Sequence, residues 1–245
     1  LTAIYGHRGA RGERPENTIE GFLHARSLGL AGIECDIVMT RDFVAVVHHD
    51  PDLPPEHLIR DLSFAQLHQL APQVPKLAQA LQAAPDMEWL IEIKTFPDGP
   101  RKSHPPEAMA EAVLAVLEAA GKLHQAYILA FDWRVLSAVG RMAPAVRRVC
   151  LTAPETEQSR EIWWGTEFRQ PTPDAVAQTN AFGWAPFHRN LTIDQIDHAH
   201  RLGLKVFPWT VNAKAEFARL ATVDGIITDY PSAAAGIGPW PASTG

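Results

Sequence analysis

Cysteine is nearly absent: of 245 residues only Cys35 and Cys150 carry a thiol, each inside an apolar run and without C-x-x-C spacing. That argues against a disulfide framework and leaves two buried free thiols as the expectation. A basic block is also missing. Lys and Arg number 22 against 28 Asp and Glu, for a net charge of -6. A general nucleic-acid or anionic-membrane surface is therefore not expected, and phosphate chemistry would need local positive charge or a metal. No uncharged apolar run is long enough to cross a bilayer, so stable membrane insertion is not expected. No charged-then-apolar leader opens the sequence at Leu1, which makes a cytoplasmic location the expectation. Internal repeats and low-complexity tracts are absent. So is a G-x-G-x-x-G after the first apolar run, which weakens a dinucleotide-binding reading. Nothing in the composition sets an oligomeric state.

What is present is alternation. Apolar content of 46% supports a sizeable core. Strand-type runs are expected at Ala3–Gly9, Gly32–Thr40, Phe43–His48, Trp89–Thr95, Ala126–Phe131, Val146–Thr152, Ala175–Gln178, Lys205–Val211 and Gly225–Thr228. Helical spacing falls between them, at Asn17–Leu28, Glu107–Ala120, Trp133–Met142, Thr192–Leu202 and Lys214–Ala221. T-I-D-Q at 192–195 reads as a capping box, and Gly203 closes that helix. Short connections between alternating elements imply parallel strands and right-handed crossovers. With Phe43–His48 as a companion of the second strand, eight principal strands remain. That count predicts an α/β fold, a single-domain (β/α)8 barrel over residues 1–245, with an open doubly wound sheet as the runner-up. Residues 51–75 read as an insertion with one short helix, Phe64–Leu70. Residues 154–173 are poorly patterned.

Barrel chemistry gathers at the C-terminal ends of strands. Here polar residues recur there: His7 and Arg8, Glu34 and Asp36, His48 to Asp50, Glu92 and Lys94, Trp209 and Asn212, and Asp229. Residues two apart on a strand face the same side. Glu34 and Asp36 thus share a face, with Cys35 opposite, and Glu92 shares a face with Lys94. Carboxylates within apolar strands are costly unless paired or metal-bound. One E-x-D is readily paired by Lys94, Arg8 or Arg41. Three carboxylates on neighbouring strand ends instead favour a cation, and all-oxygen ligation favours magnesium or calcium, with manganese a further candidate. His7 and His49 together suit an acid/base pair, which points His48 away from the pocket.

Seven motifs occur in order: H-R-G (7–9), P-E-N-T (15–18), E-x-D (34–36), H-D (49–50), E-I-K (92–94), W-T-V-N (209–212) and D-G-I-I-T-D-Y-P (224–231). In these the chain resembles the glycerophosphodiester phosphodiesterase family over nearly its whole length. The resemblance implies a (β/α)8 barrel, one divalent metal, and hydrolysis of glycerophosphodiesters to sn-glycerol 3-phosphate and an alcohol. It implies His7 and His49 as the general acid/base pair and Glu34, Asp36 and Glu92 as metal ligands. Arg8 and Lys94 would contact phosphate, and Trp209 and Phe131 would line the glycerol or leaving-group side. It further implies attack by the glycerol 2-hydroxyl to give a cyclic phosphate.

Two departures stand out. The segment after H-D is shorter than the family's insertion and lacks its R-T-T-like pattern, and Ala130 precedes Phe131 where serine is frequent. The alternatives are a lysophospholipase D or sphingomyelinase D-like enzyme on the same barrel, a Schiff-base aldolase using Lys94, and a non-catalytic phosphodiester-binding barrel. Gly6 and Gly9 are expected to clear space for the phosphodiester and metal beside His7 and Arg8. P-E-N-T is expected to launch the first helix, with Asn17 or Thr18 as its cap, and to lead the chain away from the pocket.

Overall fold

The run W-L-I-E-I-K at 89–94 shows how this chain builds a barrel. Trp89, Ile91 and Ile93 belong to one apolar cluster, which also holds Ile33, Cys35 and Ile37 and the buried faces of the helices. Leu90 belongs to a second cluster with Tyr5, Tyr127, Leu129, Val149, Phe207 and Ile227. Period-two alternation has sorted the strands into an outward face under the helices and an inward face filling the barrel. The computed structural model describes residues 2–241. Its strands are β1 (Ala3–Gly6), β2 (Gly32–Met39), β3 (Ala45–Val47), β4 (Asp52–Leu53), β5 (His57–Leu58), β6 (Glu88–Ile93), β7 (Ala126–Ala130), β8 (Arg147–Thr152), β9 (Gly183–Pro186), β10 (Lys205–Val206) and β11 (Gly225–Thr228).

The sheet order is β10-β9-β8-β7-β6-β2-β1-β11, and every neighbouring pair in it is parallel. The two ends meet through backbone bonds: Asp224 N to Val206 O at 3.2 Å, Ile227 N to Pro208 O at 3.1 Å and Val211 N to Ile227 O at 2.9 Å. This is the expected eight-stranded α/β barrel. β3 runs antiparallel to β2 outside the ring, as a companion of that strand. The small β4–β5 hairpin lies in the 51–75 insertion, where Leu53, Ile59, Leu67, Ala71 and Val74 form a separate minor core with Val38 and Val46.

Three expectations need correction. Ala175–Gln178 is not a strand but the end of the helix Thr172–Gln178, and the sixth barrel strand is Gly183–Pro186. A four-residue run such as A-V-A-Q carries no period of its own, and Pro173 in the first turn starts a helix there. The run Lys205–Val211 is regular strand only at Lys205–Val206; beyond it, around Pro208, which has no N–H, pairing persists as single bonds such as Trp209 N to Pro186 O at 3.1 Å. The glycines beside His7 make room for backbone rather than ligand. A Cβ at Gly6 would lie 1.8 Å from the carbonyl oxygen of Gly9. Gly9, at φ +90, would push a Cβ to 2.9 Å from Gly21 of the first helix. Gly6→Ala is accordingly expected to cost about 3 kcal/mol, the upper part of the usual overpacking range. Urea denaturation measures it, and a loss under about 0.5 kcal/mol, ordinary for a surface change, would mean the turn relaxes freely.

The floor of the barrel, at the N-terminal ends of the strands, is a polar plug. Tyr5 Oη donates to Glu88 at 2.7 Å and Tyr127 Oη donates to the other carboxylate oxygen at 3.0 Å. Arg147 lies 3.5 Å from Glu88 and 3.8 Å over the Tyr127 ring. Burial and the neighbouring carboxylate push the Tyr127 phenol up to about 12. Above the plug, Leu90, Leu129, Val149 and Ile227 fill the middle of the barrel.

Candidate active site

The barrel register sets the carboxylates. Asp36 on β2 lies directly opposite Glu92 on β6, and Glu34 sits one inward position below Asp36. One oxygen from each of Glu34, Asp36 and Glu92 lies within 4.8 Å of the others, and all three residues are buried. Two cations face them. Lys94 Nζ is 2.6 Å from Glu92 and 3.0 Å from Asp36, and Arg8 Nε is 3.2 Å from Asp36. Arg41 takes no part; it bonds Asp61 and Gln66 in the insertion.

Three carboxylates against two cations leave the cluster short of positive charge, and the shortfall is uneven. Burial alone would raise Asp36, but Lys94 and Arg8 outweigh it and hold that carboxyl well below the usual range. Glu34 is pushed well above its usual value by burial and then by Asp36 and Glu92. Its best contact is one backbone donor, Arg8 N, at 2.9 Å. Glu92 is also raised, by burial, although Lys94 offsets part of the shift. A hard divalent cation fits such a donor set: all oxygen, buried, and under-compensated at Glu34.

The histidines are mounted alike. His7 Nδ1 donates to Asp229 at 2.6 Å and His49 Nδ1 donates to Asp50 at 2.7 Å, which leaves each Nε2 free for chemistry. His7 Nε2 lies 3.8 Å from Glu34. Their surroundings differ. Asp229 is itself gripped by Asn212, which donates to its other oxygen at 2.7 Å and accepts from its backbone N at 2.9 Å. The side chain of Asp50 is 67% exposed. Burial and the nearby Lys94 ammonium hold His49 below its usual value. His48 bonds the backbone of Asp50 and does not line the main cavity.

Of the nine residues expected at the site, eight line one cavity of about 210 Å³; Asp36, 1% exposed, does not line it but touches Arg8 and Lys94, which do. On its far wall Phe131 meets Trp209 edge-on at 5.6 Å between ring centroids, and Trp209 Nε1 donates to Ala185 O. Sequence reasoning missed the supports. Asn17 does not lead the chain away. It adopts φ 56 and turns back, and its Nδ2 donates to Asp36 at 2.9 Å. Thr18 is the helix cap, accepting from Gly21 N at 3.2 Å. Glu16 pairs with Arg8 at 2.8 Å. Asp229 and Asn212 stood in the motifs with no role attached; the bond from His7 to Asp229 depends on the β1–β11 neighbourhood, which no local signal encodes, and Asn212 acts through Asp229.

A buried carboxylate triad, two cations and two aspartate-mounted histidines at the C-terminal mouth of a parallel barrel define a hydrolase of phosphoric diesters. The chain belongs to the glycerophosphoryl diester phosphodiesterase family, whose model matches residues 7–233. It is 27% identical to a glycerophosphodiester phosphodiesterase of Caldanaerobacter subterraneus subsp. tengcongensis, over 94% of this chain and 95% of that one. A Silicibacter pomeroyi DSS-3 crystal structure assigned to the glycerophosphoryl diester phosphodiesterases superposes with a TM-score of 0.83 at 29% identity, covering 97% of this chain and 92% of that one. The fold is shared with an Oleispira antarctica phosphodiesterase solved with the product sn-glycerol-3-phosphate, at a TM-score of 0.78, 21% identity, and 97% and 96% coverage. Among the described residues no helix is long and apolar enough to cross a membrane.

Proposed function

We propose that this enzyme hydrolyses glycerophosphodiesters to sn-glycerol 3-phosphate and an alcohol, with one magnesium or calcium ion held by Glu34, Asp36 and Glu92. The observation that carries this reading is the meeting of that triad, Arg8, Lys94 and both histidines in a single cavity. The product bound by the Oleispira antarctica phosphodiesterase supports it. When bound, the ion would neutralise phosphoryl oxygens and stabilise the charge of the transition state.

The chain's own residues do the rest. Arg8 and Lys94 hold the phosphate oxygens. Arg8 Nε is buried 3.2 Å from Asp36 and makes no hydrogen bond among the described residues, and its guanidinium charge lines the cavity. Trp209 and Phe131 pack against the glycerol carbons. One histidine Nε2 takes the proton of the glycerol 2-hydroxyl as its oxygen bonds to phosphorus. The other delivers a proton to the leaving alkoxide as its P–O bond breaks. Water then opens the cyclic phosphate with the histidine roles exchanged. Oxygen-18 tracing that showed one direct displacement by water would remove the cyclic step.

Asp229 is a positioning residue in this scheme, because it fixes the tautomer and orientation of His7. Asp229→Asn is expected to lower kcat by up to about 10²-fold, the low end of what acid/base catalysis contributes, with KM little changed. Asp229→Glu should recover part of the loss. An unchanged kcat in Asp229→Asn would show that His7 is held without it. The function itself is tested by product analysis. Glycerophosphocholine should yield glycerol phosphate and choline in equal amounts. Choline from a lysolipid, with no glycerol phosphate from glycerophosphocholine, would replace this reading with a lysophospholipase D.

A further inference from the structure

A second cavity, of about 190 Å³, opens directly from the catalytic one. His49, Glu92, Lys94 and Phe131 line both, so the two spaces meet at the reacting centre. The outer cavity has a different character. Its walls include Pro51, Phe96, Phe131 and Trp163, with Asp50 among them. Trp163 ends the short helix Arg160–Trp163, in the stretch whose sequence shows no clear periodicity. Its ring stands edge-on to Phe131, with centroids 6.4 Å apart and planes at 75°. Trp209, on the other side of Phe131, faces only the catalytic cavity. Phe131 is thus a partition between two aromatic walls, one per cavity.

We infer that this outer cavity is the subsite for the leaving alcohol and that it selects a cationic, alkylammonium-bearing alcohol; the inference rests on the function proposed above. Three observations carry it. The catalytic cavity is sized for the glycerol phosphate half, with apolar Leu129, Leu151 and Ile227 beneath the polar layer. The other ester arm must therefore leave past His49, into the only adjoining space with an aromatic lining among those described. That lining carries three aromatic rings, and aromatic rings attract organic cations. The charges agree. Glu92 is taken by Lys94 and the proposed ion, which leaves Asp50, 67% exposed and bonded to His49 from one side, as the carboxylate this cavity presents. Phe96 contributes less than the other two rings, since Lys102 Nζ stands 6.0 Å from its centroid. Trp163 is therefore the specificity-determining residue. It is carried by a segment separate from every catalytic element, so the subsite can vary without disturbing the chemistry.

The test compares kcat/KM for glycerophosphocholine with that for glycerophosphoglycerol, whose leaving alcohol is neutral. The wild-type protein should prefer the choline ester. Trp163→Leu, which keeps apolar volume but removes the π-face, should lower that preference ratio roughly tenfold, as expected for a desolvated cation–π contact. Trp163→Phe should keep most of it. A ratio unchanged in Trp163→Leu overturns the inference. A measurement on the unaltered protein guards against misfolding of the variant. Choline should inhibit glycerophosphoglycerol hydrolysis at least several-fold better than its neutral dimethylbutyl isostere, and equal inhibition by the two overturns the cationic preference. If glycerol phosphate forms from both diesters but these discriminations are absent, only the subsite is wrong. If it forms from neither, the proposed function falls and the subsite with it.

Discussion

Stripping divalent cations with a chelator is expected to abolish release of glycerol phosphate, and readdition of magnesium or calcium to restore it. The expected loss is roughly 10³-fold or more, since a metal's stabilisation of phosphoryl charge is worth several kcal/mol and each ~1.4 kcal/mol is tenfold in rate. Full activity in chelator would remove the ion from the mechanism. The same cluster predicts an effect on stability. Glu34 and Glu92 have carboxyls raised above their ordinary values, so in the metal-free fold their ionisation at neutral pH costs stability, and protonation returns it as pH falls. Asp36, held low, contributes in the opposite sense: its stabilisation is present above its ordinary value and lost in stronger acid. Glu34→Gln removes the least compensated charge while keeping its shape. Its metal-free thermal midpoint should rise, by about 2–4 °C for each kcal/mol relieved in a chain of this size. The further rise that magnesium gives the native protein should disappear. A metal-free midpoint well below that of the native protein would mean the Glu34 carboxylate is structural.

Replacing either histidine is the second large effect. His7→Ala and His49→Ala should each lower kcat by about 10²–10⁴-fold, the range of general acid–base catalysis, with smaller changes in KM. The double variant should fall well short of the product of the two losses, because residues acting in one concerted step are not additive. His49 is the cleaner substitution. It is partly exposed, whereas His7 is buried and its removal leaves Asp229 with Asn212 as its remaining side-chain partner. Steady-state assays with a thermal melt on each variant separate chemistry from folding. A His49→Ala enzyme with native kcat would exclude that imidazole from proton transfer.

The fold was legible where period and punctuation agreed. Trp133–Met142 and Phe64–Leu70 are helices over the residues their spacing implies, and Thr192–Gln195 closes the expected capping box. It failed where a run was too short to carry a period. A-V-A-Q at 175–178 reads equally as strand or helix until Pro173 is weighed as a first-turn residue. The helix Leu77–Ala83, which buries Leu77, Ala80 and Leu81, was missed. In the site, residues on one strand could be assigned a face from spacing alone, and the structure brings all nine together. What spacing could not show was support across strands. Asn17 reaches Asp36 by a backward turn, and Asp229, held by Asn212, reaches His7 only because the last strand closes against the first.

The plug of Tyr5, Glu88, Tyr127 and Arg147 makes the barrel a blind alley. Everything that enters must leave by the mouth it came through, past the partition at Phe131. Traffic therefore has an order. On the proposed function the alcohol, nearer the mouth, would depart first and glycerol phosphate, seated deeper, last. In product-inhibition kinetics the last product out competes with incoming substrate for the empty enzyme. Glycerol phosphate should thus raise the apparent KM without lowering the limiting rate.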